Sequence, residues 1–87
     1  MNIMVDKETI VSTINNFFRT GDIALGVTLF SYLCEIKNPP NKEEGIKIIA
    51  NNPVLISLIM ENILVALETE FNLVRVTDKI GRNIIVF

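Results

Sequence analysis

The side chains that could carry chemistry in this chain of 87 residues are one cysteine and a few carboxylates. The sequence contains no histidine, so one chain cannot form a Cys–His or Ser–His catalytic pair or a zinc site of the usual Cys/His type. Cys34 lies in an apolar stretch and has no basic neighbour in sequence that would lower the pKa of its thiol. We therefore expect Cys34 to lie in the core.

Two pairs of carboxylates occur, and the first pair has a structural explanation. Glu43 and Glu44 come at a predicted helix start, where negative charge is favoured by the helix dipole, and Glu68 and Glu70 come at a predicted helix end. Glu61 is flanked by Leu, Ile and Met, and enclosure by them would raise its pKa, but it shares one narrow polar stripe with Glu68, which predicts exposure. No glycine-rich phosphate loop follows a strand. We expect no catalytic, cofactor-binding or metal site.

The composition is apolar for a small domain. Hydrophobic residues make up 49% of the chain, charged residues 21%, and the mean hydropathy is +0.43. A chain of this length forms one domain, residues 1–87, with a core that is only just sufficient. Such a sequence has either a dense monomeric core or apolar surface that a second copy or another protein covers. The net charge of −2 gives no general attraction for nucleic acid or anionic membrane.

The sequence favours a cytoplasmic location. Its single cysteine excludes an intramolecular disulfide, and residues 1–7 lack the basic start and apolar run of a signal peptide. The longest apolar run is interrupted by Glu61 and falls short of the roughly 20 residues that span a bilayer. The many Ile and Asn residues suit an AT-rich coding sequence, as in a low-GC bacterium, a phage or a virus, and the protein is expected to be encoded by a phage or mobile element.

Capping residues and apolar periodicity predict four helices. Asp6 caps the first, Gly21 ends it, and Asn38-Pro39-Pro40 ends the second. Asn41 serves as N-cap of the third helix, and Asn52-Pro53 opens the fourth, which is apolar around most of its circumference. The predicted ranges are Asp6 to about Thr20, Ile23 to about Lys37, Asn41 to about Ala50, and Val54 to Phe71.

After Phe71 the residues become β-branched and predict a hairpin. Leu73–Thr77 and Asn83–Phe87 flank a type I turn from Asp78 to Gly81, with Gly81 in the left-handed conformation. A two-stranded hairpin is marginal alone, so it should pack on the helices and gain a third strand from Asn2–Val5 or from another chain. The fold class is α+β. One hairpin face carries Val74, Val76, Ile84 and Val86, and the other carries Leu73, Arg75, Thr77, Asn83, Ile85 and Phe87.

Residues 41–87 resemble a winged helix-turn-helix domain in the order of their elements. These are a short helix, a turn at Asn51-Asn52-Pro53, a longer helix and a hairpin. The resemblance implies that the fourth helix enters the DNA major groove and that the hairpin contacts the backbone. Arg75, Lys79 and Arg82 would then be phosphate contacts. The fourth helix contains no Lys or Arg between Val54 and Glu70. It departs in this from the family, whose major-groove helix normally uses Arg, Lys, Asn or Gln. The simpler interpretation of the three cations is that they keep an apolar hairpin soluble.

Two functions follow. The first hypothesis is a small non-catalytic interaction protein, a homodimer or a regulator or inhibitor of another protein, whose contact surface includes Leu58, Ile59, Ile85 and Phe87. The alternative is a winged-helix DNA-binding transcriptional regulator that uses Arg75, Lys79 and Arg82. A basic hairpin tip favours the second function, and surplus apolar surface without chemistry favours the first.

Overall fold

The computed structural model describes residues 5–86 and has the predicted α+β architecture of four helices followed by a hairpin. The element bounds agree closely with the predicted ranges. Most of the predicted third strand at Asn2–Val5 lies outside the described residues, as does Phe87. The elements are α1 (Lys7–Thr20), α2 (Ile23–Lys37), α3 (Lys42–Asn51), α4 (Val54–Phe71), β1 (Val74–Thr77) and β2 (Asn83–Val86).

The helix ends follow local chemistry. Asp6 accepts a hydrogen bond from the Thr9 N–H at 2.8 Å, and Gly21 ends α1 in the left-handed conformation, as predicted. The expected side-chain cap of Asn41 is wrong, because its side chain makes no capping hydrogen bond. Its backbone carbonyl instead accepts from the Gly45 N–H at 3.0 Å.

The hairpin closes through a three-residue loop. The Gly81 N–H donates to the Asp78 carbonyl at 3.1 Å, and the Asp78 N–H donates to the Arg82 carbonyl at 2.8 Å. Gly81 has a φ of +86°, so the predicted type I turn with a left-handed glycine is confirmed. The antiparallel register pairs Val74 with Val86, Arg75 with Ile85, Val76 with Ile84 and Thr77 with Asn83.

One hydrophobic core joins the helices to the hairpin. Helix α2 packs against α1, α3 and α4, while β2 packs against α1. Cys34 is buried, as predicted. The fully buried side chains come from three helices: Ile10, Ile14, Leu29, Ile56 and Leu67.

Gly26 lies where α2 packs tightly against α4. A Cβ atom built at this position would overlap the side chain of Ile56 and crowd the sulfur of Met60. A side chain of any size here would therefore push the two helices apart. The sequence pattern showed Gly26 only as an isolated glycine, since its role depends on which helix lies opposite.

Candidate interaction surface

The hairpin directs an apolar face away from the helices. Val74 and Val86 lie opposite each other in the register, as do Val76 and Ile84, so the four side chains share one side of the sheet. We call these four residues the outer face. Val74 is 54% exposed, Val76 and Val86 are also exposed, and Ile84 is half-buried. The outer face carries no charged side chain.

The opposite face of the hairpin is attached to the core. Ile85 and Leu73 are both buried there. Because successive strand residues alternate between faces, burial of Ile85 forces its neighbours Ile84 and Val86 to the other side. The outer face is thus a direct consequence of the register, and the sequence correctly predicted which residues share it.

Asn15 clamps β2 to α1. Its Oδ1 accepts from the Ile85 N–H at 2.8 Å, and its Nδ2 donates to the Ile85 carbonyl at 3.4 Å. The side-chain amide therefore pairs with the free edge of β2 as a neighbouring strand would. This contact was not predicted, although Asn15 lies four residues after Val11 and three before Phe18 on the apolar side of α1, where a polar side chain needs a partner.

Arg75 lies on the inner face and contacts α4. Its Nη1 and Nη2 donate to the two carboxylate oxygens of Glu61 at 3.0 and 2.9 Å, and its Nε donates to Glu68 at 2.7 Å. Its guanidinium carbon also lies 5.6 Å from the ring centroid of Phe18. The side chain is only 21% exposed. Arg75 was predicted to contact phosphates from the hairpin surface. Instead it lies against α4 and donates hydrogen bonds to two carboxylates, so this placement is wrong.

These ion pairs shift the titration of their members. The hydrogen bonds that Arg75 donates to Glu68 and Glu61 raise the pKa of Arg75, and those that Glu61 accepts lower the pKa of its carboxyl. Glu61 is 66% exposed, as its place on the polar stripe predicted, whereas the Glu68 side chain is only 15% exposed. Enclosure of Glu61 with a raised pKa is thereby excluded.

The two other predicted cations lie at the hairpin turn. Lys79 is exposed, and the Arg82 Nε donates to the Asp78 carboxylate at 3.1 Å. Asp78 also accepts from the backbone N–H groups of Arg82 and Ile80, and these contacts lower the pKa of its carboxyl. The turn therefore carries a carboxylate beside its two cations.

The structure separates the four predicted partner-binding residues. Leu58 is 79% exposed on α4, and Ile59 is half-buried against the core. Ile85 is only 4% exposed and packs inside the molecule, so its assignment to the contact surface is wrong. Phe87 lies outside the described residues. Leu58 shares its side of α4 with the exposed Val54 and Val65, which makes a second apolar surface.

The remaining chemistry-bearing groups are unremarkable in their placement. Burial raises the pKa of the Cys34 thiol, which is free of any disulfide. Among residues 5–86, no three His, Cys, Asp or Glu side chains cluster in a way that could hold a metal ion. Over the same range, none of the helices has both the length and the apolar character needed to cross a membrane.

Comparison with known proteins finds no matching family model, no matching curated protein and no matching solved structure. The winged-helix resemblance of residues 41–87 therefore stays a prediction based on the order of elements.

Proposed function

We propose that this chain is a small non-catalytic regulatory protein that acts by binding other protein surfaces, and that its outer face pairs with the outer face of a second copy. The observation that carries the proposal is that this face is entirely apolar and that three of its four residues, Val74, Val76 and Val86, are exposed. Contiguous apolar surface of this kind is typical of interaction sites.

A second copy is the simplest occupant of the outer face. Dimers with two-fold symmetry bring the same patch of both subunits together, so the patch must complement itself. The four outer-face residues carry no formal charge, so two copies meet without like-charge repulsion or buried unpaired ions. The free, buried thiol of Cys34 is consistent with a cytoplasmic location, which we include in the proposal.

Light scattering coupled to size-exclusion chromatography tests self-association. We expect a dimer mass at about 100 μM, since a Kd of micromolar order leaves little monomer at that concentration. Val76→Lys should return the mass to that of a monomer, because it places a charge in the centre of the interface. Thr77→Lys is the matched control, since it adds the same charge at the next, exposed position on the other face.

The variant Leu58→Lys distinguishes the outer face from the exposed side of α4. It should leave the dimer intact if the outer face is the interface. Loss of the dimer in Leu58→Lys alone would move the interface to α4, and a monomer mass for the unmodified chain at about 100 μM would contradict self-association.

The alternative function is a winged-helix DNA-binding regulator. It is favoured by one observation, the exposure of Lys79 and Arg82 at the hairpin tip, where a wing would meet phosphates. Changing both to Ala should then weaken binding to duplex DNA several-fold and flatten its salt dependence. Absence of retention on a mixed pool of duplex DNA at low salt would dismiss this alternative.

A further inference from the structure

A cleft of about 270 Å³ opens between the C-terminal half of α1 and the start of the second hairpin strand. It lies beside the Asn15 clamp, and of the four outer-face residues only the half-buried Ile84 contributes to its lining. Its lining combines amide and guanidinium groups with the ring of Phe18 and the apolar side chains of Ile84 and Ile85. The lining residues that matter are Asn15, Asn16, Phe18, Arg19, Arg82 and Asn83.

The two arginines of the cleft keep hydrogen-bond donors for a ligand. The Arg19 Nη2 donates to the Asn16 Oδ1 at 2.9 Å, and no carboxylate of residues 5–86 lies within salt-bridge distance of Arg19. Arg82 uses its Nε for Asp78, so its two terminal nitrogens remain. A guanidinium group presents a planar fork of donors that matches a carboxylate.

The edge of β2 gives the cleft a second recognition element. The N–H and carbonyl of Ile85 point away from β1, because both pair with the Asn15 amide. Backbone groups along a strand point alternately to its two edges, so those of Asn83 point the same way as those of Ile85. Asn83 is exposed and lines the cleft. An extended segment could therefore pair with the backbone of Asn83, where the Asn15 clamp ends.

We propose that this cleft binds a short extended segment of a partner protein through an Asp or Glu side chain. The carboxylate pairs with Arg19 and Arg82, the backbone next to it pairs with Asn83, and an adjacent apolar side chain rests on Phe18. A single protein carboxylate fits better than a nucleic-acid strand, because a strand would bring several phosphates against Asp78 and against a chain with a net charge of −2. The inference goes beyond the proposed function, since none of these contacts uses the outer face.

Selection from a displayed library of random heptapeptides tests the proposal. The peptides are fused at their C-termini, so only side chains can supply a carboxylate. We expect the selected sequences to be enriched in Asp or Glu beside an apolar residue. The enrichment should be lost with the double variant Arg19→Gln, Arg82→Gln and kept with Lys79→Gln, which removes an exposed charge outside the cleft. Spectra of each variant confirm that it is folded.

A selected peptide is then titrated into ¹⁵N-labelled protein beside its Asp→Asn or Glu→Gln analogue. We expect about tenfold weaker binding of the analogue, and shifts at the Asn83 amide and the Asn15 side chain. No acidic enrichment, or enrichment that survives the double variant, would overturn the proposal. A short single-stranded oligonucleotide that displaces the peptide at lower concentration would assign the cleft to phosphates instead. Each result is independent of the dimer mass, which tests the outer face.

Discussion

The two faces of the hairpin differ in a way that reverses the usual arrangement of a soluble protein. The inner face holds Ile85 in the core but also carries Arg75, the one hairpin residue that bridges two carboxylates of α4. The outer face holds only β-branched aliphatic residues and is turned away from the helices. The charge thus stabilises the fold, while the apolar side chains stay available for a partner.

The difference between the faces has a clear physical origin. Only one face of a two-stranded hairpin can be buried by the helices of the same chain, and both faces of this one are partly apolar. Both helices supply polar partners to the hairpin. Asn15 of α1 pairs with the Ile85 backbone, and Glu61 and Glu68 of α4 accept hydrogen bonds from Arg75 on the inner face. The Arg75 ion pairs therefore favour burial of the same face as the apolar side chain of Ile85 does.

The largest expected effect is on stability, and it should differ between Ile85 on the inner face and its neighbour Val86 on the outer face. Ile85→Ala should lower the free energy of unfolding by about 3 kcal/mol, since it leaves a cavity in the core. Val86→Ala should lower it by less than about 0.5 kcal/mol, because Val86 is exposed. Urea denaturation at a concentration where the chain is monomeric measures both. Equal losses would mean that the two faces are not distinct.

The second prediction compares the two ion-paired arginines of the hairpin. Arg75→Ala should cost about 1–2 kcal/mol, because Glu68 is left largely enclosed without its partner. Arg82→Ala should cost less than about 0.5 kcal/mol, since its pair with Asp78 is exposed. The same denaturation experiment applies, and a larger loss for Arg82→Ala would refute the role given to Arg75.

The third prediction concerns the Asn15 clamp. Asn15→Ala should cost about 1 kcal/mol and speed hydrogen exchange at the Ile85 amide, because that N–H loses its acceptor. Asn16→Ala makes the same substitution one position later, where the side chain binds only the Arg19 side chain, and should leave the Ile85 amide protected. Exchange at this amide that is unchanged by Asn15→Ala would show that the clamp contributes little.

The smallest effect is the pH dependence of the Glu61 contact. Arg75 holds the pKa of Glu61 below 4.5, so the folded protein protonates this carboxyl at lower pH than the unfolded chain does. Its contribution is fully present above about pH 4.5 and is lost as the pH falls through the folded pKa. Because Glu61 is exposed, Glu61→Gln should cost less than about 0.5 kcal/mol at pH 7, and this difference should shrink toward pH 3. A constant difference would contradict the ion pair.

Much of the fold was predictable from local chemistry. Asp6, Gly21 and the Asn38-Pro39-Pro40 segment set helix ends through contacts within a few residues, and Gly81 set the hairpin turn. Alternation along the strands correctly sorted the outer face from the inner one. These features depend on neighbours in sequence, so the sequence alone could specify them.

The candidate site was less predictable, because it depends on which face the helices cover. Arg75 was expected among phosphate contacts, but α4 supplies two carboxylates from 7 and 14 residues away. Ile85 was expected at the surface, although Asn15, 70 residues earlier, draws its strand onto α1. Both errors come from contacts between separate elements, which the pattern within one element does not contain.

The central claim is that the outer face binds a second copy while the inner face holds the fold. The most direct test is methyl NMR with a soluble paramagnetic agent, recorded at low and at high protein concentration. We predict that the methyl groups of Val74, Val76 and Val86 lose their relaxation enhancement at high concentration, whereas the exposed Ile80 at the turn keeps it. Equal enhancement of the three valines at both concentrations would contradict the account.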